Sequence, residues 1–118
     1  MILADSSIWI DHLRFANQEL DSLLARWEVS CHPCVIGELA CGNMSDRKKR
    51  IQLLQELPQA PVAGHAEVLH FIERHNLMGR GVGYIDMQLL ASTAIDSGLL
   101  WTLDRRLNEL AASLGLSY

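Results

Sequence analysis

The sequence lacks any apolar run long enough to cross a membrane. A membrane-spanning helix needs roughly 20 apolar residues, and the chain reaches Asp5 before a signal-peptide apolar region could form. Cysteine is also scarce, because the chain has only Cys31, Cys34 and Cys41, an odd set that cannot all pair internally. Such a set is typical of reduced thiols. These absences predict a cytoplasmic protein without structural disulfides.

Low-complexity segments, internal repeats and linkers are absent as well. The chain has 118 residues, which is near the usual size of one domain. Hydrophobic residues make up 49% of the chain and charged residues 20%, as expected of a folded protein. We therefore expect a single domain over residues 1–118.

An excess of positive charge is missing too. Ten lysines and arginines stand against 14 aspartates and glutamates, which gives a net charge of −4. This balance opposes binding to a polyanion, unless several of the acids hold divalent cations that reverse the local sign. The chain has no lysine after Lys49. This absence excludes a phosphoacceptor response-regulator domain, which needs a late lysine.

Short apolar runs alternate with segments of helical periodicity, which predicts an α/β domain with a largely parallel sheet. The predicted strands are residues 2–4, residues 28–31, a brief strand around Val62, and residues 99–102. The predicted helices are one capped by Ser6 and Ser7, one containing Leu20, Leu23 and Leu24, one from Pro33 to Gly42, one that begins at Ser45 and Asp46, and the segments 65–77, 84–97 (capped by Gly98) and 105–114. The stretch 79–83 is glycine-rich and predicts a loop.

Four of the acids are placed differently from ordinary surface charges. Asp5 and Asp104 each follow an apolar strand, so both are expected at the carboxyl ends of strands, where α/β proteins bind ligands. Asp86 lies near the start of a helix, beside its apolar face. Glu38 lies inside a helix of small and apolar residues. Each could also be a helix cap or a first-turn charge, and spacing alone does not show that the four converge.

A carboxylate beside a core-facing stripe is costly to bury unless a cation pairs with it. The only basic residues next to these acids are Arg105 and Arg106, which follow Asp104. If the four acids converge, a hard divalent cation with oxygen ligands is the natural partner, and Mg²⁺ or Mn²⁺ fits better than Zn²⁺. Such an ion can activate water and stabilise charge that develops on a phosphate. The acids therefore predict metal-dependent chemistry on phosphate.

Four segments, ILADSSIWIDHLR, HPCVIGELACG, GVGYIDMQLLASTAI and LLWTLDRRL, resemble in order and spacing the motifs of PIN-domain proteins, and most closely VapC-type toxins of bacterial toxin–antitoxin pairs. The resemblance spans nearly the whole chain. It implies a three-layer α/β/α sandwich around a central, mostly parallel sheet. It also implies a metal-dependent endoribonuclease that uses an activated water and leaves a 5′-phosphate and a 3′-hydroxyl.

By that resemblance, Asp5, Glu38, Asp86 and Asp104 are the four acidic positions of the family, and Ser7 and Thr102 are its supporting polar positions. Asp5 and Asp86 are expected as direct metal ligands, Glu38 as a ligand directly or through water, and Asp104 as the group that orients the nucleophile. Some PIN domains carry a further acid where this chain has Arg106, so we expect one tightly held ion. The family also implies a homodimer, and a small antitoxin whose tail covers the acids, often with an arginine.

Other features leave alternatives open. Cys31 and Cys34 have the C-x-x-C spacing of a thiol–disulfide oxidoreductase, and a non-catalytic RNA-binding module is a further possibility. The only basic run, residues 47–50, is either a solvated helix face or a contact to the RNA backbone. The predicted RNA-binding residues are Arg14, Arg47, Lys48, Lys49, Arg50, Arg80, Arg105 and Arg106. Trp9, Trp27 and Trp101 are expected in the core rather than as base-stacking platforms.

Overall fold

A computed structural model describes all of residues 1–118. Its three strands form one sheet in the order β2-β1-β3. The elements in chain order are β1 (Ile2–Ala4), α1 (Ser6–Phe15), α2 (Gln18–Ala25), β2 (Val29–Ser30), α3 (Pro33–Ala40), α4 (Arg47–Glu56), α5 (His65–His75), α6 (Tyr84–Asp96), β3 (Leu99–Trp101) and α7 (Arg105–Ser113).

The first strand of the chain lies in the middle of the sheet. Ile2 pairs with Val29 on one side and with Leu99 on the other, and both pairings are parallel. Leu3 and Ala4 are only 2% and 0% exposed, although successive side chains of a strand point to opposite faces. Both faces of the sheet are therefore covered, as parallel sheets require. The predicted α/β fold with a parallel central sheet is confirmed.

The brief strand predicted around Val62 is wrong. Val62 is 58% exposed and lies in no strand. The chain pairs instead slightly earlier, through an isolated parallel bridge between Cys31 and Gln59. The amide of Cys31 donates to the carbonyl of Pro58 at 2.8 Å, and the amide of Ala60 donates to the carbonyl of Cys31 at 2.7 Å. These two bonds satisfy the backbone amide and carbonyl of Cys31, with which a strand around Val62 would otherwise have paired.

Two helix caps also differ from prediction. Asp5, rather than Ser6 or Ser7, is the N-cap of α1. Its carboxylate is long enough to accept from the second and third amides of the helix, which the hydroxyl of a residue inside the helix cannot do. At the C-terminal end of α6, Ser97, rather than Gly98, takes the left-handed conformation that ends the helix, with φ 54. The amide of Gly98 then donates to the carbonyl of Thr93 at 3.1 Å.

Helix α6 runs through the centre of the molecule. Every residue from Met87 to Thr93 is buried, whereas the surface helix α7 buries one stripe that contains Leu107 and Leu110. Asp86 directly precedes the buried stretch of α6, so its carboxylate lies where the core opens to solvent. None of the helices has the length and apolar character that a membrane crossing requires.

Candidate active site

Asp5 lies at the carboxyl end of the central strand and is 5% exposed. Its Oδ1 accepts from the amides of Ser7 and Ile8 at 3.0 and 3.3 Å, and from the hydroxyl of Ser7 at 2.5 Å. Its Oδ2 accepts from the hydroxyl of Thr102 at 2.5 Å. Four donors thus compensate the burial of this carboxylate and hold it in one orientation.

The hydroxyls of Ser7 and Thr102 connect Asp5 to the segment that follows β3. The amide of Leu103 donates to the hydroxyl oxygen of Ser7 at 2.9 Å, and the amide of Asp104 donates to that of Thr102 at 3.0 Å. The carboxyl ends of β1 and β3 are adjacent because the two strands are parallel neighbours. The structure therefore brings Ser7 and Thr102, which the resemblance gave as supporting polar positions, into contact with Asp5.

Asp104 and Glu38 are more exposed than Asp5. Oδ1 of Asp104 accepts from the amide of Leu107 at 2.9 Å and caps α7, which leaves Oδ2 free. Glu38 projects from α3, and loss of hydration followed by the negative charge of Asp5 raises its pKa. A hydrogen bond from Ser6 partly opposes this rise in pKa. Asp5 and Asp104 are thus helix caps as well as members of the acidic set, by which we mean the four acids Asp5, Glu38, Asp86 and Asp104.

Asp86 lies near enough to the other three acids for their charges to act on it. Burial is the main cause that raises the pKa of Asp86 from 3.8 to about 6, and the negative charges of Asp5, Glu38 and Asp104 add to it. Burial and like charge both disfavour the ionised form, so the two causes act in the same direction. Asp5, Glu38 and Asp104 therefore surround Asp86 closely enough to interact with it electrostatically, and their role as one active site stays a prediction.

No basic side chain neutralises this set. The ion pairs of the structure join His12 to Asp21, Arg26 to Glu28 and Arg105 to Glu109, and none includes a member of the set. Four carboxylate donors match a hard divalent cation in kind and charge. However, no three side chains approach closely enough to enclose an ion in this conformation. The carboxylates are near enough to repel one another without forming a closed ligand cage.

A recess of about 330 Å³ lies beside Glu38 and is lined by two of the predicted RNA-binding residues, Arg14 and Arg50. The two arginines come from different helices, α1 and α4, and neither forms an ion pair. An arginine without a carboxylate partner keeps its guanidinium donors for a phosphate. The recess therefore places positive charge at the edge of the acidic site.

The other predicted RNA-binding residues differ in their surroundings. The guanidinium of Arg47 donates to the carbonyls of Ala40 and Gly42, so it caps the C-terminus of α3. Arg105 is paired with Glu109 at 3.1 Å. Lys48, Lys49 and Arg80 are exposed, and so is Arg106, whose guanidinium lies against Gly81 of the loop before α6. An RNA contact from these residues stays a prediction.

The cysteine pair does not have the electrostatics of a thiol–disulfide oxidoreductase. Burial raises the pKa of Cys31 to about 11. Burial, followed by the negative charge of Glu38, raises the pKa of Cys34. Catalytic C-x-x-C thiols need the opposite shift, because the thiolate is the nucleophile. The structure therefore argues against this alternative.

Sequence reasoning missed Ser6, whose side chain partly offsets the rise in the pKa of Glu38, and His32, which is fully buried before α3. The signal for His32 was a polar residue directly before Pro33, at the cap position of a helix. Of the tryptophans, Trp9 is 5% exposed as expected, whereas Trp27 is 66% exposed, so the core prediction for Trp27 is wrong.

Trp27 lines an apolar groove of about 460 Å³ between α1, α2 and α4. Ten of its 13 lining residues are hydrophobic, which is unusual for a surface in contact with water. Leu13 and Leu53 also line this groove, and they are 36% and 52% exposed. The groove and the recess beside Glu38 share four lining residues, Leu13, Leu39, Met44 and Arg50, so the apolar surface continues to the acidic site.

No protein-family model matches the chain. Among curated proteins, the chain is 47% identical over 118 residues to Ribonuclease VapC32 of Mycobacterium tuberculosis, in strains CDC 1551 / Oshkosh and ATCC 25618 / H37Rv. The alignment covers 99% of this chain and 95% of that relative.

Proposed function

Because this chain belongs to the VapC family of ribonucleases, we propose that it is a metal-dependent endoribonuclease whose active site is formed by Asp5, Glu38, Asp86 and Asp104. The observation that carries the proposal is a group of four carboxylates without an ion-pair partner, in which Asp5, Glu38 and Asp104 lie close enough for their charges, added to burial, to raise the pKa of Asp86 to about 6. A site that gathers negative charge without a basic partner is unstable unless it binds a cation.

Asp5 and Asp86 would hold Mg²⁺ or Mn²⁺, with Glu38 as a third ligand directly or through water. The free lone pair of Asp5 is on Oδ2, because Oδ1 already accepts three hydrogen bonds and Oδ2 only one. Asp5 is fixed, whereas Glu38 is exposed, so closure of the ligand set depends on Glu38. When bound, the ion would lower the pKa of water and offset charge on the phosphate.

The protein's own groups would position the RNA and the attacking water. Oδ2 of Asp104 is free, since Oδ1 caps α7, and it can accept a hydrogen bond that orients the water. Arg14 and Arg50 would bind a phosphate next to the scissile one. Attack on phosphorus breaks the bond to the 3′-oxygen, which leaves a 3′-hydroxyl on one fragment and a 5′-phosphate on the other.

The proposal is tested by incubating the purified protein with structured RNA, such as tRNA, in Mg²⁺, in Mn²⁺ or in chelator. We expect discrete fragments that can be ligated through their 5′-phosphates, and no cleavage in chelator. Asp5→Asn should be inactive, and Asp11→Asn, which removes a charge from the same helix outside the acidic set, should be active. Cleavage by Asp5→Asn, cleavage in chelator, or a cyclic phosphate end would contradict the proposal.

A small antitoxin is the partner that we propose for the apolar groove. Its occupant must bury an extended apolar surface and approach a cluster of four unpaired carboxylates, which an arginine can neutralise. A peptide with an apolar helix and a basic tail meets both requirements. The homodimer stays a prediction of the family resemblance.

The partner is tested by expressing the chain alone and with the small open reading frame beside its gene. We expect growth inhibition that co-expression relieves, and loss of this relief when Leu53→Asp places a charge in the groove. Relief that persists in Leu53→Asp would place the antitoxin elsewhere. The RNA cleavage test does not depend on either result.

A further inference from the structure

His32 is a fully buried histidine at the start of α3, outside the acidic set. It is 0% exposed and is the N-cap of the helix. Its Nδ1 accepts from the amide of Cys34 at 3.0 Å, and its Nε2 lies 3.0 Å from the hydroxyl of Ser92 on α6. Serine, threonine, aspartate and asparagine are the usual caps. Their side chains are too short to cap α3 and also reach α6, so histidine makes a connection that they cannot.

Only one assignment of donors and acceptors is consistent with all the hydrogen bonds around His32. The backbone amide of Cys34 can only donate, so Nδ1 carries no proton and the proton of the neutral ring is on Nε2. Nε2 therefore donates to Ser92, whose own hydroxyl donates to Oε1 of Gln88 at 3.2 Å. Nε2 of Gln88 then donates to the carbonyl of Ala63 at 2.9 Å. Loss of hydration lowers the pKa of His32, which agrees with a neutral ring.

This network joins the two helices that carry Glu38 and Asp86. The His32–Ser92 bond is the one side-chain hydrogen bond between the capped start of α3 and α6. Glu38 lies six residues after His32, and Asp86 lies six residues before Ser92, so each is about 9 Å along its helix from the bond. A helix is stiff over this length, so a shift at the bond moves the attached carboxylate.

We propose that His32 is a positioning residue, whose bond to Ser92 sets the separation of α3 and α6 and thereby that of Glu38 and Asp86. This inference rests on the proposed function for its kinetic consequence, and on the hydrogen-bond geometry alone for its structural one.

The structural part is tested by ¹⁵N NMR of the histidine side chains at neutral pH. We expect His32 to be neutral with its proton on Nε2, which the ¹⁵N shifts of the two ring nitrogens identify. We also expect Ser92→Ala to shift the amide resonance of Glu38, on the other helix, whereas the control Thr93→Val should not. Thr93 is the matched control because it is buried on the same helix and bonds only to the carbonyl of Leu89 within it.

The kinetic part uses two substitutions that separate the cap from the connection. His32→Asn keeps an oxygen at the position of Nδ1 and loses the connection, whereas His32→Gln keeps an amide at the position of Nε2 and weakens the cap. We expect kcat for RNA to fall about tenfold to a hundredfold in His32→Asn and in Ser92→Ala, with KM unchanged. The double variant should fall no further, because both changes break the same bond. His32→Gln, which keeps the connection to Ser92, should retain most of the wild-type kcat.

Several outcomes overturn the positioning role. These are a proton on Nδ1, a charged ring, an unshifted Glu38 amide in Ser92→Ala, or an equal loss of kcat in Thr93→Val. A wild type without ribonuclease activity would refute the proposed function but leave the NMR result to decide the structural inference. Thermal unfolding of each variant identifies those that do not fold, and the wild-type ¹⁵N spectrum decides the tautomer without any variant.

Discussion

Removal of the Asp86 charge should stabilise the folded protein when no divalent cation is present. The rise of its pKa from 3.8 to about 6 corresponds to an upper limit of about 3 kcal/mol. Asp86 is only half-buried, so solvent screening reduces this to about 1.5 kcal/mol. Asp86→Asn also loses about 0.5 kcal/mol from the charge in the first turn of α6. We expect a net gain of about 1 kcal/mol in the free energy of unfolding.

The sign of this effect depends on pH. Below 3.8 the carboxyl group is protonated in the folded and the unfolded state, so it contributes no difference. Between 3.8 and about 6 the folded state keeps a proton that the unfolded state has released, so wild-type stability falls as pH rises. Above about 6 the group is charged in both states and the cost is complete. The gain of Asp86→Asn should therefore grow across this window.

The assay is urea unfolding of wild type and Asp86→Asn in chelator, at about pH 4 and about pH 8. Asp11→Asn is the control, because it removes an aspartate of α1 that lies outside the acidic set. Mg²⁺ should stabilise the wild type more than Asp86→Asn. A gain that is absent at the higher pH, or equal at both, would refute the electrostatic argument.

Three further predictions concern the surroundings of the site. Thr102→Val should lower the free energy of unfolding by about 2 kcal/mol, measured by urea unfolding, because the buried carboxylate of Asp5 loses a charge-assisted hydrogen bond; an unchanged stability would mean that this bond is replaced. Replacing Cys31 and Cys34 by serine should leave RNA cleavage by the folded fraction largely unchanged, and wild-type cleavage that tracks redox potential, together with loss of cleavage in the serine variant, would revive the oxidoreductase alternative. Arg14→Gln should raise KM for RNA and reduce the slope of log affinity against log salt by about one ion, in salt titrations of binding; an unchanged slope would exclude a phosphate contact.

The positions of the acids along the chain could be predicted because strand ends are marked locally. Asp5 follows an apolar run that becomes β1 without change, and Asp104 follows a run that becomes β3. Pro33 at the start of α3 is equally local, because its fixed φ suits the first turn. Parallel strands then place both acids at one edge of the sheet.

The strand around Val62 could not be decided in this way. A short apolar stretch directly after Pro61 fits a strand, but pairing also needs a free partner edge in the right register. Cys31 bonds to Pro58 and Ala60, so its backbone is already satisfied when the chain reaches Val62. The RNA-binding prediction had a similar limit, since only the structure shows that Arg47 bonds to α3 while Arg14 faces the recess.

The sequence by itself determined most of the elements, the placement of Asp5 and Asp104 at the ends of strands and, through the resemblance, the family. Only the tertiary structure decided that the acids affect one another. Asp5 and Thr102 are 97 positions apart, and their hydrogen bond exists because β1 lies between β2 and β3. The same holds for His32 and Ser92, 60 positions apart. Local patterns specify which residues end a strand or cap a helix, whereas strand order and helix packing decide which of these ends meet.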